Sequence, residues 1–140
     1  MKTLYTASVT SVGGRNGHIE SSDGAIKLTL AAPPALGGNG KGANPEQLFA
    51  AGYAACFAGA MDYAAHQQKL TPGEITILST VGIGPDETGA FTLAVHLEVT
   101  VPGLDQTAAE ALVAQAHQIC PYSRATRGNI EVRLTAHGGS

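Results

Sequence analysis

Asn44-Pro45-Glu46-Gln47-Leu48-Phe49-Ala50-Ala51-Gly52-Tyr53-Ala54-Ala55-Cys56-Phe57-Ala58-Gly59-Ala60-Met61 decides the fold of this 140-residue chain. Asn44 suits a helix N-cap, Pro45 the first helical position, and Gln47 completes a capping-box pattern. The spacing predicts a helix from Pro45 to about Lys69. From Leu48 to Met61 no residue is charged. A helix that is apolar all round lies buried in protein rather than on a surface. Its many Ala and Gly residues let other backbone approach closely. Asp62, His66, Gln67, Gln68 and Lys69 mark its return to water.

Strands flank it on both sides. Upstream, Leu4 to Val12, His18 to Ser22 and Ala25 to Leu30 read as a three-stranded meander. Its turns are Gly13-Gly14-Arg15-Asn16-Gly17 and Asp23-Gly24, and Pro33-Pro34 ends it. Downstream, Glu74 to Ile83 and Ala90 to Val101 read as strands, the second alternating well. Asp105 caps a second helix running to about Ile119, which Pro121 disturbs. Ile130 to Thr135 forms a last strand. The order βββ-α-ββ-α-β, with no internal repeat or linker, predicts one α+β domain over residues 1–140. Its central apolar helix should be covered by antiparallel sheets. One sheet can hardly cover such a helix, so an obligate homodimer is expected, the second subunit supplying the rest of the cover.

Composition excludes several classes of function. A net charge of -3 with only eight Lys and Arg leaves no basic patch for nucleic acid. No run reaches the ~18 apolar residues of a membrane span, so no membrane insertion is expected. The start, Met1-Lys2-Thr3-Leu4-Tyr5, is no signal peptide, because no apolar run follows its Lys. These features predict a soluble cytoplasmic protein. Gly37-Gly38-Asn39-Gly40-Lys41-Gly42 fits neither phosphate-loop nor dinucleotide spacing.

Two cysteines, Cys56 and Cys120, are too few for a disulfide scaffold and lack zinc-ribbon spacing. In a reducing cytosol a disulfide is more often catalytic than structural. Composition alone nevertheless favours two inert thiols acting as small buried hydrophobes. Burial raises a thiol's pKa, so a nucleophilic Cys56 would need a positive neighbour. Arg15, framed by glycines in a turn, stands out, though a solvated turn arginine explains it as well. Glu46 sits in a helix's first turn, where the dipole alone favours an acid. Cys120 precedes Pro121 at a helix end, where a thiol can be presented. His117 and Cys120 could start a metal site, but no further ligand stands nearby, and no metal is expected.

The stretch Asn44 to Phe57 resembles the catalytic helix of the organic hydroperoxide resistance (Ohr) family, within the OsmC-like superfamily. Two further stretches carry the same resemblance. One is Gly13-Gly-Arg-Asn-Gly17 with Ser21-Ser-Asp-Gly24; the other is His117-Gln-Ile-Cys-Pro-Tyr-Ser123 with Arg127-Gly-Asn-Ile130. The resemblance spans essentially the whole chain, and Cys-Pro-Tyr-Ser looks like the Ohr branch. The chain departs in a slightly short Gly-rich loop and in Ala43, where the family more often has Thr. The resemblance implies an OsmC-like fold, an intertwined homodimer with active sites at the subunit interface. It implies that Cys56 is the peroxidatic cysteine and Cys120 the resolving one. Arg15 would stabilise the thiolate and Glu46 would hold Arg15. The implied activity is reduction of organic and lipid hydroperoxides through a Cys56–Cys120 disulfide. No cofactor would be bound, and dihydrolipoamide or a lipoylated protein would act as external reductant. A non-enzymatic redox sensor or stress protein of the same fold is the alternative.

Physical chemistry agrees with that transfer. A thiolate attacks one peroxide oxygen while an alkoxide leaves, and a guanidinium can stabilise both anions. Apolar surroundings, Tyr53, Phe57 and Met61 among them, suit an alkyl hydroperoxide better than hydrogen peroxide and form the expected substrate-binding wall. Glu46 and Cys56 are ten helical residues apart, roughly 15 Å along a straight axis. Either they serve one site from different subunits, or the helix breaks between them.

Overall fold

The structure, a computed structural model, describes Met1–Gly139. It divides into two compact units, Met1–Leu48 and the remainder from Phe49, with the boundary inside a helix.

The first unit holds a meander of three short strands, β1 (Val9–Val12), β2 (His18–Ser21) and β3 (Lys27–Thr29), each antiparallel to the next. Leu4 to Ala7, expected to extend β1, pairs with no strand among the described residues, while the Ser8 carbonyl accepts the Ser22 N–H. The β1–β2 turn is a short 3-10 helix, Gly14–Asn16. Glycine is obligatory at its end, because a Cβ on Gly17 would lie 1.7 Å from the Val12 carbonyl oxygen. Leu30, Ala31 and Ala32 are buried. Leu4, Tyr5, Val9, Val12 and Leu28 remain exposed.

Helix α1 (Pro45–Gln67) begins with the expected capping box. The Asn44 Oδ1 accepts the Gln47 N–H at 2.8 Å, and the Gln47 Oε1 accepts the Asn44 N–H at 3.1 Å. Such a cap contributes about 1 kcal/mol. The helix is unbroken over its 23 residues.

The second unit contains β4 (Thr76–Pro85), β5 (Phe91–Val101), α2 (Gln106–Ile119), α3 (Pro121–Thr126) and β6 (Glu131–Gly138). The Asp105 side chain accepts the Ala108 N–H at 2.8 Å and starts α2 where expected. Two features correct the sequence reading. The sheet is mixed, not antiparallel throughout: β4 and β5 are antiparallel, but β6 runs parallel to β5. A parallel neighbour requires a crossover, and α2 with α3 supplies it. Pro121 also does more than stop α2, since it occupies the first turn of α3, where its missing N–H costs nothing.

The core lies in this unit. Tyr53, Phe57, Ala60, Met61 and Ala64 of α1 meet Val95, Leu97, Val99 and Val101 of β5 and Ala109, Leu112, Val113 and Ala116 of α2. The opposite face of α1, with Ala51, Ala55 and Gly59, is exposed. The helix is apolar all round, and the chain covers one side of it. No helix among the described residues is long and apolar enough to cross a membrane.

Candidate active site

Arg15 and Glu46 form a bidentate pair in the first unit. Arg15 Nη1 donates to Glu46 Oε2 at 2.9 Å and Nη2 to Oε1 at 2.7 Å. This fork-to-fork geometry fixes orientation as well as charge. The hydrogen bonds from Arg15 hold the Glu46 carboxyl below the usual carboxylate range. The Glu46 side chain is 12% exposed and that of Arg15 39%, so the guanidinium keeps a face open to a further anion.

Cys56 and Cys120 meet in the second unit. Their sulfurs stand 3.6 Å apart, Cys120 donating, and both thiols are free. Cys120 is fully buried and Cys56 partly exposed. Burial pushes the Cys56 thiol up, and the Cys120 thiol adds to this. The Tyr122 backbone N–H works in the opposite direction by hydrogen bonding. Because Pro121 has no N–H, Tyr122 carries the first free amide of α3. By itself this thiol is a poor nucleophile near neutral pH.

Cys120 owes its position to the joint between α2 and α3. It caps the first and precedes the second, in an extended conformation with φ -62 and ψ 122. Its N–H bonds the Ala116 carbonyl and its own carbonyl accepts the Arg124 N–H, so both helices stay closed around it.

Tyr53, Phe57 and Met61 were expected to wall the substrate site. They have no accessible surface in this chain. Spaced four apart, they share the face of α1 turned to β5 and α2, and they are core. An apolar cleft of about 320 Å³ lies instead between Phe49, Leu93, Tyr122, Ala125 and Ile130. Gly52 belongs to the same neighbourhood: a Cβ there would come within 3.0 Å of the Tyr122 hydroxyl, so the ring lies across the bare helix backbone.

Sequence reasoning missed a buried polar network beside the cysteines. Tyr53 Oη contacts Ser123 Oγ at 2.8 Å and Thr126 Oγ1 at 3.1 Å. His117 Nδ1 contacts the same Ser123 Oγ at 2.8 Å. The available signal was Pro121, which marks a helix start and so turns Ser123 and Thr126 inward together.

Comparison with known proteins now adds the lineage. The profile of the OsmC-like protein family matches residues 38–135. The chain belongs to the OsmC/Ohr family. The organic hydroperoxide resistance protein of Xanthomonas axonopodis pv. citri is 57% identical over 136 residues, covering 96% of this chain and 95% of that one. Two solved organic hydroperoxide resistance proteins have the same fold. That of Legionella pneumophila has a TM-score of 0.93 at 49% identity, with 97% and 99% of the two chains covered. That of Elizabethkingia anophelis, with thiocyanate bound, has a TM-score of 0.93 at 50% identity and 99% of both chains covered. Within the OsmC/Ohr family, then, this chain stands with proteins named for resistance to organic hydroperoxides.

Proposed function

We propose that this protein is a thiol peroxidase that reduces organic hydroperoxides to alcohols. The observation that carries the reading is the pair of free sulfurs 3.6 Å apart, one buried and one partly exposed. The Cys56 thiolate attacks the distal oxygen of ROOH and the O–O bond breaks. The alkoxide leaves and takes a proton to become ROH, and Cys56 becomes a sulfenic acid. Cys120 then attacks the sulfenic sulfur, water leaves, and the disulfide closes. An external dithiol, dihydrolipoamide or a lipoylated protein, returns both cysteines to thiols.

A thiolate at Cys56 calls for a cation, and the half-exposed Arg15 has a guanidinium face to spare. We place Arg15 and Glu46 of a second subunit at each Cys56. The unbroken α1 supports this, since ten helical residues put Glu46 and Cys56 of one chain roughly 15 Å apart along the axis. The exposed Leu4, Tyr5, Val9, Val12 and Leu28 and the bare face of α1 support an obligate homodimer that covers them. A folded, monodisperse monomer at nanomolar concentration overturns that assembly. The alkyl group of the substrate fits the cleft between Phe49 and Tyr122.

The test is steady-state kinetics with dihydrolipoamide, comparing tert-butyl and fatty-acid hydroperoxides with hydrogen peroxide. A higher kcat/KM for the organic substrates is expected. Absence of multiple turnovers with any of them overturns the enzyme reading and leaves a redox sensor.

A further inference from the structure

Four polar side chains stand together in the second unit where the hydrophobic core would otherwise be continuous. Ser123 and Tyr53 have no accessible surface and Thr126 is 6% exposed. Each bond is costly to leave unmade there, since a buried hydroxyl without a partner keeps its full desolvation penalty. The contacts form one line: His117 Nδ1 to Ser123 Oγ at 2.8 Å, Ser123 Oγ to Tyr53 Oη at 2.8 Å, Tyr53 Oη to Thr126 Oγ1 at 3.1 Å, and Thr126 Oγ1 to the Ser123 carbonyl at 3.2 Å.

Counting hydrogens fixes the direction of the whole line. The carbonyl at its end can only accept, so Thr126 donates to it. Thr126 then has no hydrogen left for Tyr53, so Tyr53 donates to Thr126. By the same step Ser123 donates to Tyr53. Three hydroxyls supply three hydrogens for four contacts. The fourth must come from His117, whose Nδ1 therefore carries a proton. Burial, and then the charge of Arg127, hold His117 below its usual range and so favour the neutral ring. Its lone pair is on Nε2.

The line ties together α1, which carries Cys56, and the two helices that flank Cys120. Tyr53 lies one turn before Cys56 on α1. His117, on α2, is three residues before Cys120, and Ser123, on α3, is three residues after it. A second tie crosses the same joint, since Arg127 Nη2 donates to the His117 carbonyl. We infer that His117, as the Nδ1–H tautomer acting through Ser123, is a positioning residue that holds Cys120 in reach of oxidised Cys56. This rests on the peroxidase reading of the two cysteines. Its consequence is a partition. Oxidised Cys56 either loses water to Cys120 and closes the disulfide, or takes a second oxygen from another ROOH, which leaves as ROH, and ends as a sulfinic acid. Displacing Cys120 slows only the first branch.

Two measurements test this on the full-length protein. In ¹⁵N NMR of the wild type above the His117 pKa, the ring should show a protonated Nδ1 and a bare Nε2. In mass spectrometry after repeated turnover with tert-butyl hydroperoxide, His117→Ala should raise the sulfinic fraction per disulfide formed about tenfold, the scale of a sub-ångström misplacement. His117→Asn, which keeps an N–H near the Nδ1 position, should restore most of the wild-type partition. A role confined to folding would lower stability in His117→Ala and leave the partition unchanged. A bare Nδ1 in neutral His117, or a wild-type partition in His117→Ala, overturns the inference. If the wild type forms no Cys56–Cys120 disulfide with hydroperoxide, the peroxidase reading itself falls.

Discussion

The sulfurs of Cys56 and Cys120 lie 3.6 Å apart with no bond between them, about van der Waals contact for two thiols and well outside the ~2.05 Å of a disulfide. The two proposed disulfide partners are thus held near attack distance in the free-thiol state.

The two cysteines should therefore fail in different ways. Cys56→Ser should abolish hydroperoxide turnover, since no other thiol is positioned to start it. Cys120→Ser should still consume about one equivalent of hydroperoxide per subunit and then accumulate sulfinic acid at Cys56. Rapid-mix consumption assays and intact mass distinguish them. Full activity in Cys56→Ser would falsify the assignment.

Arg15 should govern the acidity of Cys56. Burial pushes this thiol up, and an added guanidinium pulls it down. At fixed pH the thiolate fraction falls as the pKa rises. Arg15→Ala should therefore slow iodoacetamide alkylation of Cys56 at neutral pH by about tenfold or more and move its pH midpoint upward. If the second subunit supplies the arginine, dilution below the dimer dissociation constant should do the same to the wild type. An alkylation profile identical in Arg15→Ala and wild type removes Arg15 from the site.

Glu46 links the pair to acid stability. Its folded pKa is depressed by Arg15, so its stabilisation is complete above the unfolded value, about 4.3, and is lost as pH falls through the folded value. Glu46→Gln should have a lower urea midpoint than wild type at neutral pH. The two midpoints should converge as pH falls from the unfolded value, about 4.3, through the folded one. Because Arg15 is partly exposed, added salt should shrink the difference. Parallel curves over that range would show that the pair contributes nothing linked to protons.

Local chemistry made much of this legible in the sequence. Asn44 with Gln47 and Asp105 with Ala108 are caps written in neighbouring residues, and both helices start where those residues place them. The bidentate partners Arg15 and Glu46 and the meeting of Cys56 with Cys120 followed from motifs, not from spacing. What escaped was long-range. The parallel placement of β6 depends on how α2 crosses the sheet, which no strand pattern records. The direction in which α1 turns Tyr53, Phe57 and Met61 could not be read from a helix that is apolar on every side. The hydroxyl of Tyr53 finds partners 70 and 73 residues away, and nothing near it in sequence announces them.

The extended conformation of Cys120, set between two helices that each remain fully bonded, has a mechanical consequence. In the proposed cycle the sulfur separation would shorten from 3.6 Å to about 2.05 Å at a residue that lies between α2 and α3 rather than within either. A protein that worked by the proposed cycle would act as a latch does, with the travel placed at one pivot between α2 and α3.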